Sequence, residues 1–181
     1  MKYTQRLGVA LIALVLSLAA VQLTAFAADS DQPTAAEISQ IQTNCGTIQS
    51  SLTRIHANDA LQRVNRGQLY ESIAANLMAP FNSRVSLNRL DSTTLVSITN
   101  NFQIHLSDFR STYQTYEQLL SATMKIDCGK DPVKFYQSLE QARTARADVY
   151  QATARLTTDI KQYKHAFENF AKSYDKEPTN E

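Results

Sequence analysis

The two cysteines, Cys45 and Cys128, carry the most specific chemistry in this chain of 181 residues. An even cysteine count in an exported chain favours a disulfide. One functional alternative is a redox pair, whose cysteines usually lie two residues apart. The other is a zinc site, which needs two further ligands that are not visible nearby. We therefore predict a structural Cys45–Cys128 disulfide. It would close about 83 residues and stabilise the fold by roughly 4 kcal/mol.

Each of the three histidines precedes an acidic residue by three positions, a spacing that puts both side chains on one helix face. The pairs are His56/Asp59, His105/Asp108 and His165/Glu168. Helical bundles build carboxylate–histidine metal sites in this way. If the chain folds as an antiparallel bundle of long helices, however, the three pairs lie about 16, 35 and 55 Å along the bundle from the level of the cysteines. They therefore cannot converge on one ion. We predict three solvated surface pairs and no metal site.

Motifs that would indicate an enzyme are missing from the sequence. There is no G-x-S-x-G, no H-E-x-x-H and no glycine-rich phosphate loop. If residues 1–27 are removed as a signal peptide, only three of the four glycines remain. That leaves little loop from which to build an oxyanion hole. We predict a non-enzymatic protein with no catalytic residue and no cofactor.

One stretch of the chain has a clear charge bias. Five arginines lie between positions 54 and 89 against only Asp59 and Glu71, a net charge of +3. Such a face can dock an anionic envelope polymer, a lipid headgroup or an acidic protein, and the alternative is an ordinary solvated face. The candidate contact residues are Arg63, Arg66, Arg84 and Arg89.

The N-terminus has the features of a secretory signal peptide. Lys2 and Arg6 precede an apolar run at 7–23, and Ala25-Phe26-Ala27 matches a cleavage site. We predict a signal peptide at 1–27 and a location that is extracellular, at the cell surface or periplasmic. An uncleaved anchor is the alternative, because residues 7–28 are about long enough to span a bilayer.

Removal of residues 1–27 also changes the charge of the chain. All 17 acidic residues but only 16 of the 18 basic ones lie beyond Ala27, so the mature net charge would be −1. We therefore expect no nucleic-acid partner, since nucleic-acid binders have a one-sided basic surface.

The rest of the chain is predicted to be helical, because apolar residues recur in steps of three and four and no segment alternates like a strand. A polar linker at 28–33 precedes helices at about 34–79, 91–126 and 131–175, and a flexible tail follows at 176–181. Thr34 and Glu37 form a predicted capping box, and Pro80 should end or kink the first helix. Residues 81–90 are ambiguous between a continued helix and a separate helical turn.

Further residues mark the predicted helix boundaries. Asp91 is the predicted N-cap of the second helix, Gly129 should terminate that helix in a left-handed conformation, and Pro132 should occupy the first position of the third. The predicted apolar stripe of the second helix comprises Leu95, Ile98, Phe102, Leu106, Phe109, Tyr113, Tyr116, Leu120 and Met124.

These elements predict an all-α fold, specifically an elongated antiparallel three-helix bundle with coiled-coil-like packing. In that arrangement Cys45 and Cys128 fall at nearly the same height, which supports the disulfide. Helices this long can equally pack against another copy of the chain, so a homo-oligomer stays open.

Four stretches resemble small exported helical proteins of Saccharibacteria. They are LQRVNRGQLYE at 61–71, NRLD at 88–91, DFRSTY at 108–113 and IDC at 126–128. The likeness covers most of residues 40–150. It implies an exported envelope protein and carries over no catalytic or binding residue.

The leading functional hypothesis is an exported helical interaction or structural protein of the cell envelope or surface. Its partner would be a protein or an anionic envelope polymer, and it would meet a membrane only if the signal segment remained as an anchor. The alternative is an extracytoplasmic holdase chaperone for exported proteins. A bundle that binds a small molecule or a metal is the third hypothesis.

Overall fold

A computed structural model of the chain describes residues 32–174. Within this range all regular structure is helical and no strand is present, which confirms the all-α class. The elements in order are α1 (Ala35–Thr43), α2 (Cys45–Ser72), a π-helical segment (Ile73–Met78), α3 (Ala79–Leu87), α4 (Thr93–Met124) and α5 (Pro132–Tyr174). The predicted signal peptide at 1–27, residues 28–31 of the predicted linker and the predicted tail at 176–181 lie outside the described residues.

The start of α1 has the predicted capping box. The Thr34 hydroxyl accepts a hydrogen bond from the Glu37 backbone N–H at 3.3 Å, and the Glu37 carboxylate accepts one from the Thr34 N–H at 2.8 Å. These hydrogen bonds from Thr34 lower the pKa of Glu37. Helical hydrogen bonding continues across Asn44, whose N–H donates to Gln40, so α1 passes almost directly into α2.

Pro80 neither ends nor interrupts the helix, which continues to Leu87. In a regular α-helix the proline ring would clash with the carbonyl four residues back, and its missing N–H would break the ladder. Here the preceding turn is π-helical, with the Ala79 N–H bonded to the carbonyl of Ala74, five residues earlier. The wider turn accommodates the proline. It also shifts the helix phase by one residue, so Met78 is buried whereas Leu77 is exposed.

The left-handed residue lies at the end of α3, at Arg89, with φ of 59°. The Leu90 N–H donates to the carbonyl of Val85, and the Arg89 N–H to that of Ser86. This is the Schellman pattern, in which the left-handed position is usually glycine. A side chain at this position costs about 1–2 kcal/mol, because its Cβ crowds the following carbonyl oxygen.

The prediction that Gly129 adopts this conformation is wrong, since no described glycine has a positive φ. α4 has already ended at Met124, and Asp127 forms the turn instead. Its carboxylate accepts hydrogen bonds from the N–H groups of Gly129 and Lys130, at 3.0 and 3.2 Å. Because these short-range bonds satisfy the backbone, the turn needs no left-handed residue.

The starts of α4 and α5 lie close to their predicted positions. α5 begins at Pro132, and the Asp131 carbonyl accepts the first helical hydrogen bond from Phe135. α4 begins at Thr93, two residues beyond the predicted N-cap Asp91. Asp91 still contributes there, since its carboxylate accepts a hydrogen bond from the Thr93 N–H at 2.9 Å and its pKa is lowered as a result.

Contacts between the helices show their relative directions. Those between α4 and α5 join Thr123 to Ser138, Asp108 to Arg155, and His105 to Asp159. Those between α2 and α4 join His56 to Glu117 and Glu71 to Arg110, and Cys45 at the start of α2 is bonded to Cys128 just beyond the end of α4. In both sets a later position on one helix meets an earlier position on the other, so α4 runs opposite to α2 and to α5.

The buried apolar residues form two clusters. The disulfide cluster consists of Leu52, Tyr113, Tyr116, Leu120, Cys128, Phe135, Ala142 and Ala145. The Tyr70 cluster consists of Tyr70, Ala74, Met78, Leu95, Phe102, Leu106, Phe109, Ala152, Leu156 and Tyr163. Both draw on α4 and α5, whereas α2 contributes only Leu52 to the first and Tyr70 to the second.

Candidate anion-binding cleft

Between Leu52 and Tyr70, α2 buries no side chain. We call residues 53–69 the α2 midsection. Its half-buried residues are Ile55, His56, Asp59, Ala60 and Gly67. Beside Asp59 a cleft of about 90 Å³ lies between α2, α4 and α5. The lining residues are Asp59, Gln62, Arg63, Arg66, Phe109, Tyr113, Tyr116, Arg146, Val149, Tyr150 and Thr153.

Asp59 connects the three helices at one side of the cleft. Its Oδ2 accepts a hydrogen bond from the Tyr116 hydroxyl at 2.6 Å. Arg146 donates from Nε to Oδ2 at 3.1 Å and from a terminal nitrogen to Oδ1 at 3.2 Å, which is the paired geometry of a guanidinium–carboxylate fork. Both oxygens of Asp59 are therefore engaged.

The groups around Asp59 respond to burial and to its charge. Burial raises the pKa of Tyr116, and the hydrogen bond and negative charge of Asp59 raise it further. Burial alone would lower the pKa of Arg146, but Asp59 outweighs this and raises it. The charge on Arg146 is thus balanced by Asp59 and contributes little to attracting an outside anion.

Arg63 and Arg66 lie one turn apart on α2, and both are exposed. The guanidinium carbon of Arg63 is 5.4 Å from the centre of the Tyr113 ring, within cation–π distance. Neither arginine forms an ion pair or a hydrogen bond with another residue in 32–174. With Asp59 taken up by Arg146, the lining residues have a net charge of +2, carried by these two side chains.

Tyr113 lies beneath Arg63, and only 4% of its surface is exposed. Its hydroxyl is buried and has no hydrogen-bond partner among the described residues. Burial raises the pKa of this hydroxyl to about 12, with Glu117 and Asp59 adding to the effect. A buried hydroxyl without a partner costs about 1–3 kcal/mol, and nearly all such groups in folded proteins have one.

The four arginines predicted from the sequence do not form a single cluster. Arg63 and Arg66 line the cleft, whereas Arg84 lies on α3 and Arg89 just beyond it. Eighteen residues of helix separate Arg66 from Arg84, which corresponds to about 27 Å. That any of the four contacts an anionic partner stays a prediction.

The predicted disulfide joins Cys45 to Cys128, with 5.5 Å between their Cα atoms. It links the start of α2 to the turn between α4 and α5, and Cys128 is fully buried beside Phe135. The bond therefore fixes one end of α2, about 27 Å along the helix from Arg63.

The histidines do not pair with the acids three positions away. His56 contacts Glu117 on α4, and His105 contacts Asp159 on α5, with 2.6 Å between Nδ1 and Oδ2. Both histidines are half-buried between helices, so the prediction of solvated pairs is wrong for them. His165 is exposed and lies near Asn169. No group of three or more histidine, cysteine or acidic side chains in residues 32–174 is arranged to hold a metal ion.

A second groove, of about 810 Å³, runs between the end of α4 and the start of α5. It is open, and its walls are mainly glutamine, serine and lysine side chains. Glu117 there faces His56, and Lys125 and Lys134 are exposed. No buried polar atom without a partner lies in this groove, so its chemistry is less specific than that of the cleft.

No protein-family model, curated protein or solved structure matches the chain. None of the helices within residues 32–174 is both long enough and apolar enough to span a bilayer.

Proposed function

We propose that this chain is an exported, non-enzymatic interaction protein of the cell envelope or cell surface, which binds an anionic partner at the α2 midsection. The observation that carries the proposal is that Arg63 and Arg66 lack a carboxylate partner among the described residues while they border a cleft. Unpaired arginines are the side chains best suited to hold carboxylate or phosphate groups.

The proposal includes the predicted bundle. An antiparallel three-helix bundle with coiled-coil-like packing would present the arginines on a rigid support. Two observations support it: α4 runs opposite to its two neighbours, and its stripe of apolar residues in steps of three and four is buried. Export is supported by the disulfide, since such bonds persist in oxidising compartments, and by the signal-like sequence at 1–27.

A binding role is favoured over catalysis by the state of the only carboxylate in the cleft. Both oxygens of Asp59 accept hydrogen bonds from Tyr116 and Arg146, so this group is not available as a general base. We propose no catalytic residue and no cofactor.

The proposal is tested by crosslinking the tagged chain in intact producing cells and identifying captured molecules by mass spectrometry. One partner recovered in near-equal amount supports it. The variant Arg63→Glu/Arg66→Glu should abolish that capture, whereas Lys161→Glu/Lys172→Glu, with the same charge change on exposed positions of α5, should keep it. Equal loss in both variants would reject the cleft as the contact surface. Arg84→Glu/Arg89→Glu tests the other predicted arginines separately.

The alternative function is that of an extracytoplasmic holdase chaperone. It is favoured by three apolar side chains on α2 that are more than half exposed, namely Leu61, Val64 and Leu69. A holdase would suppress aggregation of many unrelated unfolded proteins and would crosslink to a broad set of them. The variant Leu61→Ser/Val64→Ser should then lose that suppression, whereas the arginine variants should retain it.

A further inference from the structure

We propose that the cleft at the α2 midsection is a phosphate site, which holds one phosphate monoester group between Arg63, Arg66 and the hydroxyl of Tyr113. This inference rests on the proposed function and names the chemical group that the same cleft would bind. It is carried by the cavity, by the charge left unpaired on its walls and by the buried tyrosine hydroxyl.

The size of the cleft limits what can enter it. The cleft is small, about 90 Å³, and open to solvent on one side, so a group of a few heavy atoms such as a phosphate fits within it. The rest of a larger ligand would stay outside. The exposed ring of Tyr150, which stacks on Arg146 at 5.8 Å, borders the cleft and offers a flat surface to such a body.

The charge and the number of donors both favour phosphate over carboxylate. Two unpaired guanidinium groups match the two negative charges of a phosphate monoester near neutral pH, whereas a carboxylate has only one. A monoester also has three terminal oxygens, and three separate groups, Arg63, Arg66 and Tyr113, have N–H or O–H donors without partners among the described residues. A carboxylate would leave one of these donors unused.

The cleft is already held open by contacts that a ligand would not disturb. Asp59 bridges Tyr116 and Arg146 at one wall, and Tyr113 and Tyr116 stack edge to face with their centres 5.9 Å apart. Glu117 and Asp59 both act on the Tyr113 hydroxyl. Glu117 is in contact with His56 and Asp59 with Arg146, so neither carboxylate lacks a cationic or imidazole partner. The Tyr113 hydroxyl has less than 1 Å² of exposed surface, so the exposed Arg63 side chain, which lies over the ring, must shift to admit a phosphate oxygen.

The first test titrates the purified full chain with inorganic phosphate at constant ionic strength, by calorimetry and by thermal shift. Phosphate should bind and raise the melting temperature. Arg63→Gln/Arg66→Gln should weaken binding by roughly tenfold or more, since hydrogen bonds to charged groups are lost. Arg84→Gln/Arg89→Gln, the same charge change outside the cleft, should stay within about twofold of the parent. Equal weakening in both variants, or equal binding of acetate, would overturn the proposal.

Tyr113→Phe separates a ligand site from a structural defect. It removes only the unpaired hydroxyl, so the ligand-free chain should be no less stable than the parent. Phosphate binding should still fall several-fold, because one donor is lost. An unchanged phosphate affinity in this variant would show that the hydroxyl takes no part and would overturn its assignment.

Two further arms identify the source of the phosphate and separate this inference from the proposed function. Glycerol 1-phosphate tests a soluble monoester, and phosphatidylcholine vesicles with 20% phosphatidic acid test a lipid headgroup. Binding to either that depends on Arg63 and Arg66 supports the site. If no phosphate compound binds while Arg63→Glu/Arg66→Glu still abolishes cellular capture, the phosphate site is rejected and the interaction function stands. If phosphate binds through Arg63 and Arg66 but Arg63→Glu/Arg66→Glu does not reduce cellular capture, capture through the cleft is rejected and the phosphate site stands.

Discussion

α4 and α2 are long helices of the same chain, but they are held in different ways. α4 buries nine side chains along its whole length, from Leu95 to Thr123, and these contact α5 and α2 in both apolar clusters. α2 buries only Leu52 and Tyr70, one near each end. Between them it meets its neighbours through polar pairs, including His56 with Glu117 and Asp59 with Arg146. We call the buried residues of α4 and their contacts the apolar seam, in contrast to the α2 midsection, which is held by polar pairs.

The difference indicates where the chain can hold a binding group. Apolar side chains in a packed seam fill the space between helices, so no room remains for a ligand. The α2 midsection has no such filling, and its polar side chains leave the cleft open. α2 is therefore held by its apolar ends together with these polar pairs, and mutations at each can separate the two contributions.

The largest effect is expected from removing the disulfide with Cys45→Ala/Cys128→Ala. The 83-residue loop would regain entropy in the unfolded chain, and the free energy of unfolding should fall by about 4 kcal/mol. Because the bond fixes one end of α2, hydrogen exchange should speed up first in α1 and α2. The parent chain under reducing conditions serves as the control and should behave alike. Equal loss of protection in α2 and in α4 would contradict the distinction between the apolar seam of α4 and the α2 midsection.

The second prediction compares one apolar residue from each region. Phe102 is 0% exposed in the α4 seam, whereas Leu61 on the α2 midsection is 63% exposed. Phe102→Ala should lower the free energy of unfolding by at least about 3 kcal/mol, because it leaves a cavity. Leu61→Ala should change it by no more than about 0.5 kcal/mol. Urea unfolding measures both, and a similar loss for the two variants would mean that the midsection is packed in solution.

The apolar seam could be predicted from the sequence, and the structure shows why. All nine residues of the predicted α4 stripe are buried or half-buried, since a step of three or four keeps them on one face whatever their partners are. The rule does not extend through the π-helical turn before Pro80, where Met78 is buried and Leu77 is exposed, because that turn contains more residues than an α-helical turn. A local change in hydrogen bonding is not visible in apolar spacing.

The polar contacts of the α2 midsection could not be predicted in this way. The pairings of Asp59 with Tyr116 and Arg146 span 57 and 87 residues, so they depend on how the helices are rotated against each other. The sequence predicts that His56 and His105 pair with acids of their own helices, because only short-range partners can be read from a sequence. One signal was available: Asp159 lies three residues after Leu156 and four before Tyr163, both buried on α5, where a lone carboxylate requires a partner.

The third prediction compares the two histidines that bridge helices. His105→Ala would leave Asp159, whose side chain is 6% exposed, buried without its partner, and the free energy of unfolding should fall by about 2 kcal/mol or more. His56→Ala leaves Glu117 at 29% exposure, where water can replace the histidine, so about 1 kcal/mol or less is expected. Chemical denaturation at neutral pH measures both. A larger loss for His56→Ala would show that the α2 midsection is held more tightly than the exposure of its side chains indicates.

The fourth prediction makes the same small change at two buried tyrosines that differ in hydrogen bonding, and it expects opposite signs. The Tyr163 hydroxyl, in the Tyr70 cluster, donates to Asn82 Oδ1 at 2.8 Å. Tyr163→Phe leaves this buried acceptor without its donor and should cost about 1 kcal/mol. Tyr113→Phe removes a hydroxyl without a partner among the described residues and should be neutral or stabilising by up to about 1 kcal/mol. Urea unfolding without phosphate measures both, and destabilisation by Tyr113→Phe would mean that its hydroxyl is already satisfied.

Alkaline pH provides an independent check on the same two variants. Burial raises the pKa of Tyr113 and of Tyr163 to about 12, against an ordinary value of 10. Between these values the folded chain keeps both protons, whereas the unfolded chain has released them, so stability should fall as pH rises from 10 towards 12. Each Phe variant lacks one of these groups and should lose less stability across that window. A variant that shows the full decline of the parent would mean that its hydroxyl is not buried in solution. For Tyr113→Phe alone, that result would mean that the cleft is more open than the Tyr70 cluster.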